Sequence, residues 1–297
     1  MRVLVTGASG LVGTDLVPFL RAKGLSVSKL VRSGTQLPGE LVWDPDSCLL
    51  DASQLEGFDA VVHLAGENIA TNRWTEAKKK KILDSRVIGT RLLCQALSGL
   101  KRRPKVLVSA SAIGYYGDRG DTLLTEDSQS GSGFLAEVCR EWEAASQQAV
   151  QAGIRVVNPR LGMVLSQAGG ALKMMLPPFK MGFGGRIGSG KQYMSWIAID
   201  DLLQVLHLAI VQETLKGPVN VVAPTPVTNA EFTHDLGKAL HRPTLLPLPA
   251  FVARLAFGEM ADEMLLCSTR VSPKYLQQQG YSFLYPTLND ALQHLLK

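Results

Sequence analysis

Residues 6–13 read Thr6-Gly7-Ala8-Ser9-Gly10-Leu11-Val12-Gly13. This run lies between a short β-branched apolar stretch, 2–6, and a segment, 11–23, whose apolar residues recur at helical spacing until Gly24 stops it. A strand that turns this sharply into a helix needs a residue free to adopt positive φ, and Gly7 supplies it. Gly10 removes a side chain where the backbone must approach a ligand, and Gly13 lets the helix lie close on the strand. The helix start presents unpaired N–H groups and the positive end of its dipole. The backbone of Ser9, Gly10, Leu11, Val12 and Gly13 is therefore suited to an anion, and the turn predicts that a dinucleotide pyrophosphate binds there.

The remainder of the chain alternates strand and helix patterns. Further strands are expected at 26–31, 40–43, 60–64, 106–110, 154–158, 195–199 and 219–223. Helices are expected from Thr75 as N-cap to residue 97, over 133–151, over 200–211, and after Thr228 to residue 240. Such alternation predicts an α/β protein, a Rossmann-type doubly wound parallel sheet with helices on both faces. Five glycines in 182–190 require a loop there. Pro243, Pro247 and Pro249 mark a change of composition, and short amphipathic helices follow. The expected organisation is a dinucleotide-binding domain over 1–241 and a small, mostly helical substrate-side region over 242–297.

The expected second strand ends Leu30-Val31-Arg32. An acidic residue at that point would bind a ribose 2′-hydroxyl, whereas Arg32 can pair with a 2′-phosphate, and no carboxylate follows before Glu40. NADP(H) is therefore expected rather than NAD(H). In 297 residues, 46% are hydrophobic and 19% charged, which supports a packed core and excludes a disordered chain. The net charge of +5 falls partly on Lys78 to Lys81, a run that one solvated helix face explains, so no nucleic-acid partner is expected. No stretch approaches the roughly 20 apolar residues of a membrane span, and the N-terminus lacks a signal-peptide pattern, so a soluble, cytoplasmic protein with no membrane partner is expected. Cys48, Cys94, Cys139 and Cys267 are scattered and the five histidines lack ligand spacing, so reduced thiols and no metal are expected. Nothing in the pattern fixes an oligomeric state.

More than the glycine loop resembles the extended, epimerase-like branch of the short-chain dehydrogenase/reductase superfamily. Leu64-Ala65-Gly66-Glu67 is similar to the branch's segment along the cofactor. Ser109-Ala110-Ser111-Ala112 followed by Tyr116-Gly117 is similar to the strand carrying the catalytic Ser, and Pro159-Arg160-Leu161-Gly162 to the segment facing the nicotinamide. Ala65-Gly66-Glu67-Asn68-Ile69, Asp84-Ser85-Arg86, Gly114-Tyr115-Tyr116-Gly117, Gly188-Ser189-Gly190-Lys191-Gln192 and Trp196-Ile197-Ala198-Ile199-Asp200-Asp201 resemble a group of atypical members with a C-terminal domain of their own. The resemblance spans the whole chain. It implies cofactor contacts at Leu64, Ala65, Gly66 and Val164, a cation at Arg86 within reach of a phosphate, and a hydrogen bond from Ser111 to a substrate carbonyl.

The family's Tyr-x-x-x-Lys pair is missing. One helical turn would put both side chains on one face, where the cation lowers the phenol's pKa. Here the corresponding helix begins Phe134-Leu135-Ala136-Glu137-Val138-Cys139-Arg140, and an alignment placing Phe134 and Val138 in the two positions, or one shifted by a residue, leaves no Tyr and Lys pair to move a proton. Tyr116 is the candidate replacement, with Tyr115 and Glu137 behind it. Arg186, Lys191 and Gln192 in the glycine-rich loop can close over an anionic small-molecule substrate. Two readings follow: an NADP(H)-binding oxidoreductase or nucleotide-sugar-epimerase-like enzyme, or a non-catalytic NADP(H)-binding sensor or assembly module.

Overall fold

Successive side chains of the central strands enter two different cores. In the computed structural model, which describes residues 1–32, 37, 39–71 and 73–297, the main sheet begins with β1 (Arg2–Thr6), β2 (Ser26–Arg32), β3 (Glu40–Asp44), β4 (Leu49–Leu50), β5 (Ala60–His63) and β6 (Val106–Ser109). Val3, Val5, Val62 and Val108 pack on one face and Leu4, Val61 and Leu107 on the other. Burial of both faces explains why these strands read as unbroken apolar runs. From one edge the order is Gly217–Val221, Arg155–Leu161, β6, β5, β1, β2, β3, β4, with Ser111–Ala112 pairing beside Arg155–Leu161. Every pairing is parallel except β3 with β4.

Helix α1 (Leu11–Ala22) and helix Ile199–Val211 cover the first face, through Leu16, Leu20, Leu202 and Leu206. Helix α2 (Glu76–Ser98) covers the second through Leu93, Cys94 and Leu97, and α3 (Phe134–Ala145) lies against α2. Thr75 caps α2 by accepting from the Lys78 N–H. The chain runs outward from β1 to β2 and β3, then returns to β5 on the opposite side of β1. That reversal opens a crevice at the carboxyl ends of β1 and β5, where open α/β sheets bind ligands.

Beyond residue 160 the structure departs from the expected pattern. Gly170–Lys180 is a helix, although Pro177 and Pro178 lie inside it. Residues 242–297 have no core of their own among the described residues: Leu276 joins the first core, its helix packing on the edge strand Gly217–Val221, and Leu288, Ala291 and Leu292 pack with Phe232 and Leu236. The buried Asp201 carboxylate accepts from the Tyr281 hydroxyl and from the N–H groups of Leu284 and Tyr285, which fixes the segment between the last two helices. Glu263 accepts from the N–H groups of Phe134 and Leu135, so the C-terminal segment caps α3. Among the described residues, no helix is long and apolar enough to cross a membrane, and no three metal-ligating side chains gather.

Candidate functional site

The crevice is built first from backbone. Gly7 has φ +67, and a Cβ there would lie 2.7 Å from the Leu64 carbonyl carbon and oxygen. A Cβ on Gly13 would lie 2.2 Å from the Gly7 oxygen. Only glycine at both positions lets β1, α1 and segment 64–66 meet this closely. Gly10 is the N-cap of α1 and no side chain caps the helix, so first-turn N–H groups face the crevice. Ser9 and Gly10 are exposed, while Leu11 and Val12 are half-buried. The Thr6 hydroxyl accepts from the N–H groups of Leu64 and Ala65 at 3.2 Å each, which draws that segment along the turn. Opposite, Cβ atoms on Gly169 and Gly170 would meet Leu11 at 3.0 and 2.9 Å, so the chain following Val164 closes against the start of α1.

Arg32 is exposed at the end of β2, beside a cavity of about 210 Å³ that Glu67, Lys80, Lys81, Asp84 and Ser85 also line. The Lys78 ammonium, 2.7 Å from Glu67, holds that carboxyl below the usual range. Arg86 approaches the far end of segment 64–66: a Cβ on Gly66 would lie 3.2 Å from its guanidinium carbon. It donates to the carbonyls of Glu67 and Ile82 and lies 5.0 Å from the centre of the Trp142 ring. Arg32 thus lines the cavity beside α2, while Arg86 adjoins segment 64–66, which in turn packs on the glycine turn.

The two expected catalytic residues stand differently from the sequence expectation. Ser111 is 1% exposed, and its hydroxyl donates to Glu143 at 2.7 Å. A carboxylate only accepts, so in this arrangement Ser111's single proton goes to Glu143. Tyr116 is fully buried. Its hydroxyl donates to Asn220 or the Thr125 carbonyl and accepts from Arg160. Burial pushes its pKa up to about 12 despite Arg160 beside it. Its hydroxyl is thus enclosed by Asn220, Thr125 and Arg160, an arrangement unlike that of an exposed proton donor. Glu143, on α3, joins both residues: it accepts twice from Arg160, at 2.8 and 2.9 Å. Burial opposes the charge on Arg160, but the Glu143 carboxylate outweighs it and raises the guanidinium's pKa. Tyr115 stacks on Arg160, with the guanidinium carbon 3.5 Å from its ring centre.

Of the two α3 registers, the contacts of Gly114 favour the one shifted by a residue. A Cβ on Gly114 would lie 3.2 Å from the Leu135 Cβ and 3.8 Å from the Cys139 sulfur. Leu135 and Cys139, rather than Phe134 and Val138, therefore face the segment after β6 where Tyr and Lys would act. Burial raises the Cys139 thiol to about 11, so it is neutral. Glu137 is exposed on another face. In the glycine-rich loop, Arg186 and Lys191 are exposed, whereas Gln192 donates its amide to the carbonyls of Ile187 and Leu265 and serves the loop itself. Glu143 was missed. Its one sequence signal is an acidic residue at the spacing 135, 139, 143, on a helix stripe that otherwise carries uncharged side chains.

Residues 3–222 match the NAD-dependent epimerase/dehydratase family, and residues 248–295 match a domain of unknown function, DUF1731. The chain belongs to that family, the extended short-chain dehydrogenases/reductases, in the form that carries this C-terminal domain. Among its relatives, an epimerase family protein of Mycobacterium bovis is 46% identical over 290 residues, covering 98% of this chain and 96% of the relative. The human epimerase family protein SDR39U1 is 39% identical over 299 residues, covering 100% of both chains. The crystal structure of human SDR39U1 (isoform 2) with NADPH superposes with a TM-score of 0.92 at 38% identity, over 99% of each chain. A UDP-glucose 4-epimerase of Thermus thermophilus in complex with NAD, at 18% identity and TM-score 0.75, shares the fold over 100% of this chain and 98% of the other.

Proposed function

We propose that this protein is an NADP(H)-dependent oxidoreductase or epimerase-like enzyme acting on a small molecule, without the family's Tyr-x-x-x-Lys pair, and that it works in the cytoplasm. The observation that carries the cofactor is the glycine turn at 7–13 with Arg32 at the end of the neighbouring strand. NADPH bound to the human relative supports the same choice. The N–H groups at the start of α1 hold the pyrophosphate, Arg32 reads the 2′-phosphate, and Leu64, Ala65 and Gly66 lie along the dinucleotide. Arg86 supplies a cation near the place left by the missing Lys. The Val164 backbone meets the nicotinamide end. When bound, NADP(H) supplies the hydride chemistry. Ser111 polarises the substrate carbonyl, its hydroxyl turning from Glu143 towards the bound molecule. Exposed Arg186 and Lys191 suit a substrate bearing negative charge. In the same reading, residues 242–297 form the substrate-side unit beside a cofactor domain of 1–241.

A non-catalytic NADP(H)-binding module is favoured by one observation: Ser111 and Tyr116 are both engaged inside the protein. Single-turnover mixing of the NADPH-loaded protein with a panel of carbonyl compounds and sugar nucleotides separates the readings. Loss of NADPH absorbance with one of them supports the enzyme. Tight binding with no NADPH consumed, and no epimerised product from the same sugar nucleotides with the NADP⁺-loaded protein, favours the module.

A further inference from the structure

His63 is fully buried at the end of β5 and takes no part in the site described above. Its hydrogen bonds can be assigned by counting. Two N–H groups, of Ala65 and of Leu64, the latter shared with the Thr6 carbonyl at 3.3 Å, donate to the Thr6 hydroxyl and occupy its lone pairs. The Thr6 proton therefore goes to His63 Nδ1, 2.7 Å away. With Nδ1 accepting, the neutral imidazole carries its proton on Nε2 and donates to the Thr90 hydroxyl at 3.0 Å. Thr90 in turn donates to the Arg86 carbonyl at 2.5 Å. The chain runs without a break from the amides of segment 64–65, through Thr6 and His63, to the turn of α2 that carries Arg86. The imidazole edge also meets Trp43, with ring centres 6.0 Å apart. Burial drives the His63 pKa down to about 4, so the neutral form that this chain requires persists through the ordinary pH range.

We propose that His63 is a positioning residue of the dinucleotide site, whose Nε2–H tautomer holds the glycine turn, segment 64–66 and the Arg86 turn of α2 in register. The inference rests on the NADP(H) reading. Thr6 immediately precedes Gly7, and the two amides it gathers belong to the segment against which Gly7 packs. The Nδ1 half of the contact therefore adjoins the cofactor cradle directly, and the Nε2 half acts at the distance of α2.

The two halves are separable. In His63→Asn the amide oxygen stands where Nδ1 stood and keeps an acceptor for Thr6. In His63→Gln the amide nitrogen stands where Nε2 stood and keeps the donor to Thr90, but leaves the Thr6 proton without an acceptor. NADPH dissociation constants, read by fluorescence, are compared with melting temperatures taken without cofactor. His63→Gln is expected to weaken NADPH binding about tenfold, the worth of one net hydrogen bond, and His63→Asn much less, at similar melting temperatures. Equal loss in both variants with parallel loss of melting temperature, or wild-type binding by a folded His63→Gln, overturns the inference. If neither variant folds, imidazole nitrogen shifts of the wild-type protein decide, since a proton found on Nδ1 contradicts the assignment. Failure of the wild-type protein itself to bind NADPH removes the cofactor reading and this inference with it.

Discussion

Replacing Glu143 by Gln leaves the Arg160 guanidinium, 3% exposed, without its counter-charge, because the Gln amide nitrogen faces one of its donors. Removing one partner of a buried pair costs about 3–5 kcal/mol. Unfolding entropy of about 2.1 cal/mol/K per residue gives roughly 0.6 kcal/mol/K over this chain, so the melting temperature should fall by about 5–8 °C. Ser111→Ala removes only one hydrogen bond to the same carboxylate and should cost about 1 kcal/mol, or about 2 °C. A Glu143→Leu/Arg160→Met double variant, which removes both charges, should recover much of the loss. Differential scanning calorimetry reads all three. A Glu143→Gln protein melting within about 2 °C of wild type would refute the view that this network holds α3 to the sheet.

Arg32→Ala should weaken NADPH binding at least about tenfold and leave NADH binding unchanged by calorimetry, since only the 2′-phosphate loses a partner. Gly13→Ala places a Cβ 2.2 Å from the Gly7 oxygen, and titration should show NADPH affinity lost by at least about tenfold as the turn opens. His63 adds an acid sensitivity. Its pKa is near 4 in the folded protein against 6.5 ordinarily, so between these values the unfolded chain binds a proton that the folded chain does not. The contribution is full above about pH 6.5 and is lost as pH falls towards 4, about 3 kcal/mol in all. Urea unfolding of wild type and His63→Asn at pH 7 and pH 4.5 should show the smaller fall in the variant.

The front of the fold was legible because each central strand is buried on both faces and each glycine of the turn answers a backbone demand. Val3, Leu4 and Val5 belong to two cores, yet all three are apolar, so the run signals a strand without its alternation. Helix Gly170–Lys180 was hidden by Pro177 and Pro178, which ordinarily end a helix, and the packing of Leu172, Leu176 and Phe179 overrides them. The α3 register stayed open by one residue in the sequence because no ionisable pair marks it. Only the approach of Gly114 to Leu135 and Cys139 sets it. The roles of Ser111 and Tyr116 depended on partners 32 and 104 residues away, Glu143 and Asn220, which no local motif announces.

The placement of Leu276 in the first core, on the helix that packs against the edge strand Gly217–Val221, and of Asp201 beneath residues 281–285, bears on how such proteins diversify. Chimaeras that join residues 1–241 of one relative to the remainder of another must match the apolar contacts of Leu276 and the three donors that meet Asp201. Exchange of this segment between lineages therefore requires compensating changes in strands and helices far upstream in the sequence.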